Sequence, residues 1–503
     1  MQKKLLVAAV LSAFAGAASA QSANVTLYGT AFAHIETGSN TGGDTSTAAA
    51  LGAGGVSSVR AVAANALNAG TGASLGQNYT ATPADLSSRW RTTGSGANFG
   101  LRGTEDLGNG LSAWFQFEMS TAAALGSQGN ASTSLGGFQA VTMRNSAVGL
   151  RSNSWGTVFT GAWDTPINVH YLQGNLLPQV GVVNTYASQA GFFGANPLLG
   201  GGAYSATSII TACNAAAQAA LGGSAASCLN AVTQVDRRQT NTIQWWSPNW
   251  NGFEARFHVS PTTEQYPSSA NNQAVIAGTG ANAPSTIKPN IWGGSVAYSN
   301  GPLWVGAAYE RKNDLLAAGV RTIGGVTIGN AGFGTNLTMK ADMSSSKDDA
   351  WRLGARYKFD LGGGSKLGIG ARYESIKWTM GYANAPVAGT SDLSGMSSKK
   401  WNLSASFETG RHGFIAEYFK ANEISISTVS AAGATPTGSG GTGAKRWTLG
   451  YNYDLSKRTA FQVTYAQTTN EVNARYVGGV FFNLGGPSGA DPKYFTFGMR
   501  HSF

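Results

Sequence analysis

The sequence predicts an all-β fold, a transmembrane 16-stranded antiparallel β-barrel with long loops at one end and short turns at the other. Three observations lead there: a composition poor in charge, a period-2 alternation that recurs along the chain, and a regular succession of long and short connections. Charged residues are only 12% of the 503, while Gly contributes 69. A soluble chain of ordinary composition carries about a quarter charged residues, and a chain disordered by charge carries high net charge with little apolar content. Here the apolar share is an ordinary 42%. Length alone suggests about three domains; this composition favours one. Beyond the N-terminal segment, no run reaches the 18 or so apolar residues of a spanning helix. A crossing of the membrane has to be made by strands.

The N-terminus is read apart from the fold. Lys3 and Lys4 precede an apolar run at 5–17 and the small-residue site Ala18, Ser19, Ala20, with Gln21 next. That is the pattern of a secretory signal peptide, removed before folding, which leaves 21–503 as one domain. Losing the two lysines lowers the formal charge from +10 to +8. No Lys/Arg run exceeds two, so the charge is dispersed along a wall rather than gathered into a nucleic-acid patch. Export places Cys213 and Cys228 in an oxidising compartment. A disulfide closing their loop of about 15 residues is worth ~3 kcal/mol in the chain-entropy model. The alternative, half a metal site, lacks a neighbouring His or acid.

The alternation is explicit at 351–359, where Trp351, Leu353, Ala355, Tyr357 and Phe359 are interleaved with Arg352, Gly354, Arg356 and Lys358. A period of two means a strand with one apolar face. The pattern recurs at 367–374, 447–454 and 459–466, and closes the chain through Phe495, Phe497, Met499, His501 and Phe503. The polar faces collect Arg102, Arg151, Gln244, Glu254, Arg256, Arg352, Arg356, Lys358, Arg372, Glu374, Asn452, Gln462 and Arg500.

Eight stretches rich in Gly, Ser, Thr, Ala and Asn have no periodicity, near 37–88, 120–137, 164–236, 261–289, 313–347, 380–398, 422–443 and 469–492. Between them lie seven short turns, near 103–110, 152–155, 247–252, 299–302, 360–365, 409–411 and 454–457. Eight long and seven short connections imply sixteen strands, and this asymmetry marks an outer-membrane barrel. Closure has a physical cause: in lipid every backbone N–H and C=O must be paired, which an edgeless barrel achieves. Trp90, Trp245, Trp292, Trp304, Trp351, Trp378, Trp401 and Trp447 lie near strand ends and fit interfacial aromatic girdles. At sixteen strands the lumen is too wide for side chains to fill and holds water.

Five segments stand out as motifs: VTLYG at 25–29, GLRGTEDLGNGL at 100–111, NTIQWWSPNWNGF at 241–253, LGYNYDLSKR at 449–458 and GMRHSF at 498–503. Together they resemble the general porins of the β-proteobacterial outer membrane, the trimeric sixteen-stranded kind. The resemblance implies a homotrimer in the cell outer membrane, in contact with lipid and lipopolysaccharide. It implies passive diffusion of small hydrophilic solutes and ions, and no cofactor. Phe503 resembles the C-terminal signal read by the outer-membrane assembly machinery. In the family the third long loop, here 164–236, folds back and narrows the barrel, and wall arginines face acids on that loop.

Carried over by position, Arg238 matches one wall arginine and Arg144 another. Arg144 shares strand parity with Val148 and Leu150, which should face lipid, so a bulge is needed there. Arg102, Arg151 and Arg256 complete the basic set. Departures are evident: Asn98 and Ala162 stand where the family carries arginines, and Arg89 or Arg91 compensates only if the register slips. The loop from Trp163 to Val235 has one acid, Asp164, and no Lys or Arg. It holds Phe192, Phe193 and a helix-like run at 214–221. The expected preference is for anions, but mild. A channel tuned to a neutral or partly apolar solute, an Ala-rich loop acting only as filler, and a surface adhesin on the same scaffold stay open.

No catalytic constellation emerges. His34, His170, His258, His412 and His501 are scattered, and no H-E-x-x-H, Cys-x-x-Cys or phosphate loop occurs. Glu105 and Asp106 fit a polar turn better than a metal site. The sequence therefore predicts neither an enzyme nor a metal site.

Overall fold

Alternating apolar residues need an apolar medium on one side, and antiparallel pairing supplies the wall that separates it from the other. The computed structural model describes residues 24–42, 86–93, 97–120, 142–177, 192–196, 233–261, 287–322, 326–328, 337–340, 342–384, 386, 391–430, 440–474, 476 and 489–503. Among these the wall has sixteen staves. They are β1 (Asn24–Thr41), β2 (Leu86–Thr93 continued by Asn98–Gly108), β3 (Leu111–Ser120), β4 (Ser146–Ser152, preceded by Thr142–Met143), β5 (Gly156–Asp164), β6 (Arg238–Trp246), β7 (Phe253–Pro261) and β8 (Asn290–Asn300). The second half comprises β9 (Leu303–Asn313), β10 (Met343–Gly362), β11 (Ser365–Tyr382), β12 (Ser391–Thr409), β13 (His412–Ala421 continued by Ser425–Ser430), β14 (Ala444–Asp454), β15 (Thr459–Asn470) and β16 (Asp491–Ser502). The barrel closes where β1 pairs with β16, from Thr30 opposite Ser502 to Thr41 opposite Asp491. On its other edge β1 pairs with both pieces of β2, which together make one stave.

Seven tight turns join neighbouring staves at one end. Between β2 and β3, Gly108, Asn109 and Gly110 all take left-handed φ, of 83°, 53° and 74°. The Gly108 amide donates to Asp106 Oδ1 at 2.9 Å. Asn and Gly adopt that backbone at least cost, which explains the Asn-Gly pair in the motif.

Side-chain orientation follows the alternation. Trp351 and Leu353 are each 52% exposed on the outside, while Arg352 between them is 2% exposed inside. An outward hollow of about 730 Å³, lined by residues such as Val296, Val305, Ala307, Leu353 and Leu403, is almost wholly apolar. This suits acyl chains.

Two features depart from the sequence reading. First, β10, β11 and β12 run for 20, 18 and 19 residues, about twice the 9–11 needed to cross. Residues 343–347, 380–382 and 391–398, assigned above to loops, belong to the wall. Backbone pairing continues past the lipid belt, although the apolar alternation that marks a strand in sequence stops there. Second, the lumen is not simply water. Helix α1 (Pro166–Gln173) lies inside against β7 to β10, and α2 (Leu315–Thr322) lies inside against β10. Leu315, Leu316 and Val320 of α2 pack with inward-facing Ile376, Trp378 and Met396 in a buried apolar core.

The two inner helices correct two girdle assignments, Trp378 in the core beneath α2 and Trp304 against His170 of α1. Trp378 is fully buried and Trp304 is 3% exposed, both facing inward. On this flank the inner face meets packed protein instead of water, so large apolar side chains are stable there. Trp90, Trp351 and Trp447 do lie exposed on the outer face. The segment 1–20 read above as a signal peptide, both cysteines and the run at 214–221 lie outside the described residues.

Candidate functional site

The third long connection begins at a clamp. Asp164, the last residue of β5, stands in register with Arg238, the first of β6. Arg238 Nε donates to Asn145 Oδ1 at 2.6 Å, and Asn145 Nδ2 donates to Asp164 Oδ2 at 2.8 Å. The guanidinium lies 3.6 Å from Asp164 Oδ1. Arg238 and Asp164 are 6% and 7% exposed. Their charges are spent on each other at the root of the loop.

From there Thr165 is extended and Pro166 opens α1, a position where its fixed φ and missing N–H cost nothing. His170 of α1 is buried with its ring 5.2 Å from that of Trp304. Burial, with Arg352, Arg372 and Arg256 nearby, pushes its pKa down from 6.5 to about 4. Leu176 and Leu177 then pack on Ile415 of β13, so the chain crosses the lumen.

The far part of the loop is held by wall charges. Gly194 N donates to both Glu374 oxygens, at 2.8 and 2.9 Å. Lys400 Nζ donates to Glu374 Oε1 at 3.0 Å and to the Ala195 carbonyl at 2.7 Å. Arg352 Nε donates to Glu374 Oε2 at 2.7 Å, and Arg352 also pairs with Asp236 at the returning end of the loop, just before β6. Phe192 and Phe193 pack with Phe419 and Tyr476. Lys312 of β9 pairs with Asp348 at 3.2 Å and donates to the Gln234 carbonyl at 3.1 Å. A loop nearly free of charged side chains is thus fixed largely through its own backbone, helped by Asp236 and the two phenylalanines. That is why its sequence shows little sign of the attachment: Glu374 and Lys400 hold peptide groups of Gly194 and Ala195, and the one loop acid that Arg352 pairs with, Asp236, stands at the loop's very end.

The wall arginines divide by partner. Arg144 pairs with Glu118, which also accepts from Tyr28 Oη at 3.0 Å. Pairing is irregular between Met143 and Ser146, and the Arg144 amide donates to the Glu118 carbonyl at 2.7 Å. This step lets Arg144 reach an inner-face acid in spite of its parity. Arg256 stacks 4.4 Å over Trp246 and lies 3.4 Å from Glu254. Arg102 sits 5.0 Å over Tyr28, and Arg151 sits 5.8 Å over Trp114. Among the described residues, neither Arg102 nor Arg151 has a carboxylate within ion-pair distance. Asn98 is half-buried, in register with Thr30 and Ser120. Sequence reasoning missed the inner aromatic cluster of Trp114, Phe159, Trp163 and Trp246. Its signal is parity: Trp114 alternates with outward Phe115 and Phe117 and so falls on the polar face.

The C-terminal Phe503 closes the seam. Its amide donates to the Gly29 carbonyl at 3.0 Å and the Gly29 amide donates back at 3.2 Å. Its ring occupies the space a side chain at position 29 would need, 2.5 Å from that Cβ position. Among the described residues no group of three His, Cys, Asp or Glu is placed to hold a metal.

A family model described as Gram-negative porin matches residues 7–473. The chain belongs to the Gram-negative porin family. An outer membrane porin protein of Bordetella pertussis is 26% identical over 473 residues, 91% of this chain and 92% of that one. The solved anion-selective porin from Comamonas acidovorans is 20% identical, with a TM-score of 0.53 over 96% of this chain and all of that one. That likeness is one of fold. As a porin, the chain has its place in the cell outer membrane.

Proposed function

We propose that this porin forms a water-filled channel for passive diffusion of small hydrophilic solutes and ions, with a mild preference for anions. The observation that carries the preference is the pair Arg102 and Arg151, lumen-facing cations without a carboxylate partner among the described residues, while Asp164 and Asp236 are each neutralised by an arginine. Fixed unpaired charge in a pore selects ions by sign. The Comamonas porin is named for anion selectivity, which points the same way. In this reading 164–236 is the constricting segment, and its wall-held backbone makes it a fixed rim. The mature protein is 21–503, one domain after loss of a signal peptide at 1–20, with a Cys213–Cys228 disulfide in the loop. It assembles as a homotrimer in lipid and lipopolysaccharide, delivered through the C-terminal Phe503, and acts as a channel rather than an enzyme.

The test is planar-bilayer recording of the refolded mature chain with reversal potential in a KCl gradient. Ohmic steps in groups of three with modest anion preference are expected. Replacing Arg102 and Arg151 by Gln should move the reversal potential toward zero. Folded barrels without ohmic steps would make the loop a plug and overturn free diffusion.

A further inference from the structure

We propose that an alcove in the short-turn half of the lumen binds small planar aromatic carboxylates on their way through. This rests on the channel reading above and names a solute class for it. The alcove arises from residue size on three adjacent staves. The inner face of β4 carries Ala147, Gly149 and Arg151, while its neighbours β3 and β5 carry Trp114 and Phe159. Gly149 stands in register with both rings. A Cβ there would lie 2.5 Å from Phe159 Cβ, so the missing side chain makes room for the flanking aromatics. Phe159 meets Trp114, Trp163 and Trp246 at centroid distances of 5.3, 5.1 and 5.3 Å, all edge to face. Behind them opens a cavity of about 1000 Å³, bounded by these rings with Arg102, Arg151 and Gln116.

Two kinds of recognition meet there. Phe159 is 2% and Trp114 and Trp163 are 9% exposed, and Arg256 covers one face of Trp246, so the rings meet a flat apolar solute through the limited ring surface that lines the cavity, a preference beyond simple area burial. The guanidinium groups of Arg102 and Arg151 lie 5.0 and 5.8 Å over aromatic rings and have no carboxylate partner among the described residues, so their forked donors are available to a carboxylate. One acid, Asp106, also lines the cavity, and its Oδ1 accepts from the Gly108 amide in the adjoining turn. Small inorganic anions use only the guanidinium groups, and neutral arenes only the rings. A planar aromatic acid uses both at once.

The experiment is single-channel recording in KCl with benzoate, cyclohexanecarboxylate, acetate or benzyl alcohol added, each channel referred to its own KCl current. Benzoate should interrupt the current at concentrations about tenfold below cyclohexanecarboxylate, which has the same charge and similar size but no aromatic ring. Acetate and benzyl alcohol should have no effect in that range. In the Arg102→Gln, Arg151→Gln double variant, the half-blocking benzoate concentration should rise about tenfold. Trp246→Leu should bring benzoate and cyclohexanecarboxylate together. Equal block by the two acids in the unmodified chain overturns the proposal with no variant needed, and so does unchanged benzoate block in the double variant. Absence of KCl steps altogether refutes the channel reading itself, a result distinct from either.

Discussion

Replacing Glu374 with glutamine removes one negative charge where wall and loop converge. The carboxylate accepts from Gly194 N, Lys400 Nζ and Arg352, and Glu374, Lys400 and Arg352 are at most 2% exposed. The amide keeps the volume and one acceptor but leaves buried positive charge in excess. Removing one partner of a buried ion pair costs about 3–5 kcal/mol, and each 1.4 kcal/mol is a factor of ten, so loop docking should shift by roughly 10²- to 10⁴-fold. The wall itself should hold, because around Glu374 β11 is in unbroken register with β10, from Gly381 opposite Ser345 to Lys366 opposite Asp360, and with β12 on its other side. The loss therefore falls on segment 192–196 and what it anchors. Two assays read this: current noise of single channels, and limited proteolysis of refolded barrels. E374Q should flicker and be cut within 164–236 while the barrel keeps its heat-modifiable mobility. A variant as quiet and as resistant as the parent would refute the idea that wall charges hold the loop through its backbone.

Other consequences are open to measurement. Leu353→Arg places a charge on the outward face of β10 and should cost about 2–4 kcal/mol if it sits near the bilayer midplane; urea unfolding in lipid vesicles reads this, and no loss would place 351–359 elsewhere. His170 has a folded pKa below its ordinary value, so the docked loop is favoured by the neutral ring. That stability is fully present above pH 6.5 and is lost as pH falls toward 4, by about 3 kcal/mol in all. Channel noise should rise over that window, and His170→Gln should flatten the rise. If noise is flat from pH 7 to 4 in the unmodified chain, the buried imidazole does not control docking. Deleting Phe503 removes two seam hydrogen bonds worth ~1 kcal/mol each and should slow the appearance of the heat-resistant folded form; an unchanged rate would deny Phe503 a part in closure.

The wall was legible because lipid imposes a strict pattern on one face. At 351–359 the outward Trp351, Leu353 and Phe359 and the inward Arg352 and Arg356 fall as the alternation requires. The reading failed where its assumption of water inside failed. Ile376, Trp378 and Met380 continue the inner face of β11 beyond Glu374 toward the long-loop end, and there the inside is the packed flank of α2. A pattern that assigns apolar residues to lipid turns Trp378 outward, and it ends the strand where exposed apolar residues stop. The site shows the same division. Arg102, Arg151 and Arg256 can be placed by parity. The attachments of the third loop cannot, since Gly194 and Ala195 contribute peptide groups that any residue carries.

The length of β10 to β12 sets how an ion meets the pore. Twenty residues at about 3.3 Å each, tilted near 40°, stand ~50 Å along the membrane normal against a hydrocarbon core of ~30 Å. On that flank roughly 20 Å of wall rises clear of the core, about two Debye lengths at 0.1 M salt. This collar lengthens the resistive path, so conductance per unit bore is lower than in a pore trimmed to the bilayer. It also lifts that side of the entrance away from anionic lipid headgroups, and an anion approaching there meets protein before it feels the repulsion of the membrane surface.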